Sequence, residues 1–145
     1  MLALRLVRLI ESHADQLSRD LIHRLEHDPR CSDLRKVPEQ ELISRSYEIY
    51  RHLSDWMLHK SEKELENSYR QLGMRRAGQE VALSHVLYAV LGTKEQLWKF
   101  LRAEGAVTNP VELFGEMELF QLVDQFFDKA AYYMAMGYEH ARVAA

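Results

Sequence analysis

The chain has 145 residues, enough for one domain with a true hydrophobic core. At 47% hydrophobic and 28% charged residues it has the composition of a globular protein, neither disordered nor membrane-embedded. A formal charge of -3 leaves no basic excess with which to hold nucleic acid, and no apolar run approaches the length that spans a bilayer. The lone Cys31 has no partner for an internal disulfide, and the apolar start is broken by Arg5 and Arg8, unlike a cleaved signal. Both features point to a cytoplasmic address.

Helical periodicity runs from end to end without strand alternation. A first helix is expected over about Leu2 to His27, with Leu6, Leu9, Ile10, His13, Leu17 and Leu21 on one face, ending before Asp28-Pro29. A loop through Cys31 leads to Pro38, which suits the first turn of a second helix reaching about His59. Ser61 and Glu64 have the spacing of a capping box, opening a third helix to about Arg76 that Gly73 and Gly78 should leave irregular. The fourth, about Leu83 to Glu104, has a clear apolar stripe, and Gly105 is placed to end it. Asn109, Pro110 and Glu112 then supply a cap, a first-turn proline and a capping acid for a long last helix. The expected fold is all-α, a globin-like pack or antiparallel bundle of about five helices with long first and last members, in a single domain over residues 1–145.

The last helix carries two apolar stripes. Phe120, Val123, Phe127, Ala131, Met134 and Tyr138 should close the core, while Leu119, Leu122, Phe126, Tyr133 and Met136 should meet a second copy or a partner. The first helix is expected to share in that interface.

Chemistry is sparse. His23 and His27 are four apart, a spacing that can present two ligands to one metal, but no matching carboxylate-histidine pair follows on another helix. His52, His59 and His140 fit solvated positions. His85 is the residue a haem would choose, yet it points away from Val86, Val90 and Leu97. Lys94 sits inside the apolar face of the fourth helix, where an ammonium must snorkel, pair with a carboxylate or line a pocket. With His13 and Trp98 it marks a candidate ligand pocket. Arg70, Arg75 and Arg76 cluster around Gly73 without a phosphate-cradling loop, and Ser44, Ser46 and Ser84 lie in helical runs without a nucleophile elbow. No cofactor, metal or catalytic constellation is legible, and an enzyme is not expected.

Several segments resemble, in order, one family of bacterial sensor domains. They are Leu53-Ser54-Asp55-Trp56-Met57, the run from Tyr69-Arg70-Gln71-Leu72-Gly73 to Ser84-His85-Val86, Leu97-Trp98-Lys99-Phe100-Leu101, Phe127-Asp128-Lys129-Ala130-Ala131-Tyr132-Tyr133, and Gly137-Tyr138-Glu139. The family is the RsbRD-type N-terminal domain of RsbT co-antagonist proteins of the stressosome. The resemblance implies a globin-like domain without obligatory haem, paired as a homodimer and serving as the input half of a signalling protein. In that layout the last helix runs into an output module, often a STAS domain, a kinase or a transcription factor. This sequence stops at Ala145 instead, so the expected partner is an output-domain or signalling protein. A haem or small-molecule sensor and a ligand-free helical adaptor are the competing readings.

Overall fold

A computed structural model describes residues 4–104 and 110–144, with the side chains of 110–113 and 144 left aside. Among the described residues every regular element is helical. The order is α1 (Leu4–Ser12), α2 (Ala14–Glu26), a 3₁₀ segment (Pro29–Lys36), α3 (Glu39–Arg51), a π-helical turn (Asp55–His59), α4 (Glu62–Gly78), α5 (Leu83–Glu104) and α6 (Pro110–Ala144). The cap expected at Asn109 and the stop at Gly105 lie outside the described residues.

The expected first helix is two helices. Ser12 Oγ donates to the Leu9 carbonyl at 3.0 Å and His13 Nδ1 lies 2.8 Å from the same oxygen. Side chains that compete for a helical carbonyl bend the helix, and the break falls at His13, whose backbone leaves helical geometry (φ -105, ψ 15). The second expected helix also breaks, at His52 (φ -115, ψ 33). Glu11 of α1 compensates, since its Oε2 accepts from Ser54 N at 3.1 Å and from Ser54 Oγ at 2.9 Å. Pro38 stands one residue before α3, where its carbonyl accepts from Glu41 N and Leu42 N. The Ser61–Glu64 capping box is present, with Glu64 N donating to Ser61 Oγ at 3.1 Å.

Gly73 does not break α4, which runs through it to Gly78. It is instead where α6 crosses. A Cβ on Gly73 would overlap the Met134 carbonyl oxygen and lie 2.6 Å from Tyr138 N, and one on Gly137 would overlap the Arg70 carbonyl oxygen and lie 2.7 Å from Arg70 Cα. Each helix thus presents a glycine to the backbone of the other, and the two main chains touch. The consequence is a tight α4–α6 pair that side chains larger than hydrogen cannot reproduce.

α4 ends in a Schellman arrangement. Val81 N donates to Arg76 O at 3.1 Å and Glu80 N to Ala77 O at 3.0 Å, with Glu80 in the left-handed region (φ 59). The fully buried Val81 supplies the apolar contact of the motif. Asp33 in the 3₁₀ segment then accepts from Ala82 N at 2.9 Å and opens α5.

The core joins Leu6, Ile10, Leu21, Tyr50, Leu53, Leu97, Leu119, Val123 and Met134 into one cluster. Both stripes of α6 contribute to it: Leu119 and Phe126 are buried along with Val123, Phe127, Met134 and Tyr138, whereas Phe120 is only half-buried. The sequence had divided these stripes between core and partner. They share the core because α6 packs on α4 along one flank and on α5 along the other.

Two stability changes follow. Gly73→Ala and Gly137→Ala should each destabilise by about 3 kcal/mol or more, because the obstacle is backbone that cannot rotate aside; urea denaturation followed by far-UV circular dichroism reads this. Glu80→Gly should raise stability by about 0.5–1 kcal/mol by relieving a left-handed non-glycine residue, an increase in the urea midpoint at unchanged slope.

Candidate functional site

Of the three residues expected to line a pocket, Lys94 and Trp98 lie one turn apart on α5 and both face α6, while His13 lies near the end of α1. His13 is exposed at the α1–α2 break, its ring 5.5 Å from that of Phe100. Trp98 stacks edge-on against Phe120 at 4.8 Å. Lys94 is half-buried, with Nζ 3.3 Å from Asp124 Oδ1 and 4.0 Å from Asp128 Oδ1, so α5 and α6 are joined there by an ion pair. None of the three borders the apolar cavity described below.

The other histidines have local partners. His27 Nδ1 lies 2.7 Å from His23 O, and the two rings are 4.6 Å apart. His52 and His59 lie beside Asp55, and His140 Nδ1 is 2.7 Å from Arg70 Nη2. His85 Nδ1 accepts the Asp33 backbone N–H at 3.0 Å, so the Nδ1 lone pair anchors the 3₁₀ segment. Among the described residues no group of three or more His, Cys, Asp or Glu side chains could hold a metal ion. Cys31 is buried, its thiol donating to Leu25 O at 3.1 Å, and burial pushes its pKa up.

The interior does hold a cavity of about 60 Å³ between α2, α3, α4 and α5. Its walls are apolar, among them Leu21, Ile22, Leu25, Val86 and Val90, and its charged lining groups are Arg45 and Arg76. These two arginines differ sharply in how they are satisfied. Arg76, only 2% exposed, donates to Glu41 Oε1 at 2.9 Å and to Gln79 Oε1 at 2.8 Å. Glu41 also takes both arms of Arg75, one of them at 3.0 Å. These hydrogen bonds from Arg75, then Arg76, hold the Glu41 carboxyl down at about 2, against an ordinary value of 4.5.

Arg45 has no such partner. Its Nε is closed off from solvent and makes no hydrogen bond, and its guanidinium lies over the Tyr69 ring at 5.3 Å. Burial pulls its pKa below the usual arginine range. Arg45 also borders an outer groove of about 380 Å³ between α3 and α4, lined as well by Glu48, Ser68, Tyr69 and Trp56. Trp56 Nε1 is a second enclosed donor without an acceptor. The guanidinium therefore stands between the groove and the apolar cavity, with unused donor capacity.

Arg45 escaped the sequence reading, although its signal was present. It falls three residues after Leu42 and four before Ile49, inside the apolar stripe of α3, just as Lys94 does on α5.

Of the residues expected at an interface, Leu119 and Phe126 belong to the core, and the Tyr133 hydroxyl donates to Glu62 of α4 at 2.7 Å. Leu122 and Met136 are half-buried. The apolar side chains that α6 turns outward are Phe114, Met117, Tyr132 and Val143, at 64, 54, 62 and 84% exposure.

The described residues thus form an all-α pack with a closely packed α4–α6 pair, a small apolar cavity and an outward apolar face on the longest helix. The RsbT co-antagonist protein rsbRD N-terminal domain family matches residues 5–145, and the chain belongs to that family. It is a family of sensor-type domains of stress signalling. No curated protein and no solved structure matches the chain. Among the described residues no helix is long and apolar enough to cross a membrane.

The Glu41 cluster carries a pH dependence. Because the folded carboxyl titrates near 2 and the unfolded one near 4.5, its contribution is complete above that upper value and is lost as pH falls through the window between them. About 2 kcal/mol should disappear across it, after discounting the exposed Arg75 arm. Glu41→Gln should flatten this limb of the urea midpoint against pH and lower stability at pH 7, since Arg76 would remain buried without its anion.

Proposed function

We propose that this chain is the non-catalytic input domain of a stress-signalling system, acting as a homodimer in the cytoplasm and passing a signal to stressosome-type protein partners through α6. Family membership supports the regulatory role. The observation that carries the dimer is the outer face of α6. Phe114, Met117, Tyr132 and Val143 stand exposed on a helix whose opposite face already fills the core. A second copy is the natural cover, because a twofold axis lets the same strip meet itself, each residue being used on both sides. Leu122 and Met136 flank the strip and would add to the buried area.

A dimer of this kind switches by choosing between two packings of its long helices. A ligand or partner biases that choice only by its difference in affinity for the two. Leu91 of α5 is a further exposed apolar residue, at 54%, that a signalling partner could cover.

Sedimentation equilibrium tests the premise. The chain should run at twice its 17.1 kDa mass at micromolar concentration, and the double variant Phe114→Glu, Tyr132→Glu should run as a monomer with unchanged helical content. A monomer for the parent chain that persists on concentration overturns the dimer.

A further inference from the structure

We propose that Arg45 and the apolar cavity behind it form a binding site for a small carboxylate with a short hydrocarbon tail. The carboxylate would sit on the Arg45 guanidinium beside Trp56 Nε1, and the tail would enter between Ile22, Val86 and Val90.

Three observations converge on this ligand chemistry. The first is the unmatched cation: Arg45 Nε is enclosed and bonded to nothing, while of the two carboxylates in the same groove Glu41 is committed to Arg75 and Arg76 and Glu48 lies beside His52. A half-buried guanidinium with an enclosed Nε offers planar, directional donors to a carboxylate and gains most where both are desolvated. The second is the space beyond it. A dry cavity of about 150 Å³ takes the six carbons of a benzene ring, so the 60 Å³ here has room for about two or three carbon atoms. The third is position, because Arg45, Ile49 and Tyr69 border both the cavity and the outer groove, so the cation stands where the two adjoin. Glu48 on the groove wall disfavours a dianion such as phosphate, which leaves a monoanion as the better fit.

Ligand entry also has structural leverage. The lining residues come from α2, α3, α4, α5, the 3₁₀ segment through Leu34 and, through Phe127, α6. A tail wedged among them would bear on the same helix that presents the outer apolar strip. The inference rests on the input-domain reading only for its biological use, since binding itself is measurable without it.

Butyrate is the probe, added to the full chain, with 1-butanol and inorganic phosphate as comparisons. Isotope-edited NMR should show contacts from the butyrate methyl to the methyls of Ile22 and Val90, and butyrate should raise the melting temperature in a saturable way. Arg45→Met, which keeps the length of the side chain and removes the cation, should weaken binding about tenfold or more. Ala89→Leu, which fills the cavity and leaves Arg45 in place, should do the same by blocking the tail. Absence of the methyl contacts in the parent chain overturns the proposal, as does binding of 1-butanol or phosphate as tight as that of butyrate, or undiminished butyrate binding by folded Arg45→Met. Sedimentation of the same samples separates the two readings: an intact dimer without butyrate binding removes the ligand and leaves the dimer standing.

Discussion

The main-chain contact between α4 and α6 at Gly73 and Gly137 is the constraint on which the rest of the molecule depends. Two helices that meet through side chains can adjust by rotamer changes, whereas two that meet through backbone have a single separation. That fixed distance positions Tyr69 and Leu72, one turn before or beside Gly73, against Phe126 and Phe127. It also sets Tyr138 where its hydroxyl donates to Val81 O at 2.6 Å, tying α6 to the turn that launches α5. From there Asp33 and His85 connect α5 to the 3₁₀ segment, so the chain of constraint reaches the first half of the molecule.

The interior that results is apolar with two cations in it, and their contrast is instructive. Arg76 is buried at the cost of recruiting Glu41 and Gln79, giving a network in which each partner is used more than once. Such networks stabilise poorly for their size but fix geometry, because removing any member strands a charge. Arg45 has only the face of Tyr69, an attraction worth about 0.5–2 kcal/mol, weaker than a charge-assisted hydrogen bond. The fold thus keeps one arginine fully matched for structure and leaves the other, one α3 turn away from Glu41, open.

Much of the fold was legible because it was local. The Ser61–Glu64 cap, the α5 stripe and the placement of Pro38 depend on residues a few positions apart, and periodicity reports those directly. The breaks at His13 and His52 were not legible, since each depends on competition for one carbonyl or on a distant Glu11. From sequence alone Gly73 is a weakness in its own helix, because a sequence shows what glycine does to a helix and cannot show the second helix that needs its missing side chain. The same limit explains α6. Two apolar stripes announce that both are covered, but whether by one protomer or two is a question of tertiary arrangement, and for Phe126 the cover comes from Tyr69 and Trp56 of the same chain.

The backbone contact also fixes the register of α6 along α4. With Gly73 and Gly137 seated against main chain, α6 cannot slide or turn about its own axis on α4 without driving one backbone into the other. Toward its start, the buried Leu119 and Val123 and the Lys94–Asp124 pair hold the same helix to the core. Phe114, Met117 and Tyr132 are therefore presented as one rigid row, and a displacement anywhere along α6 is carried to all of them.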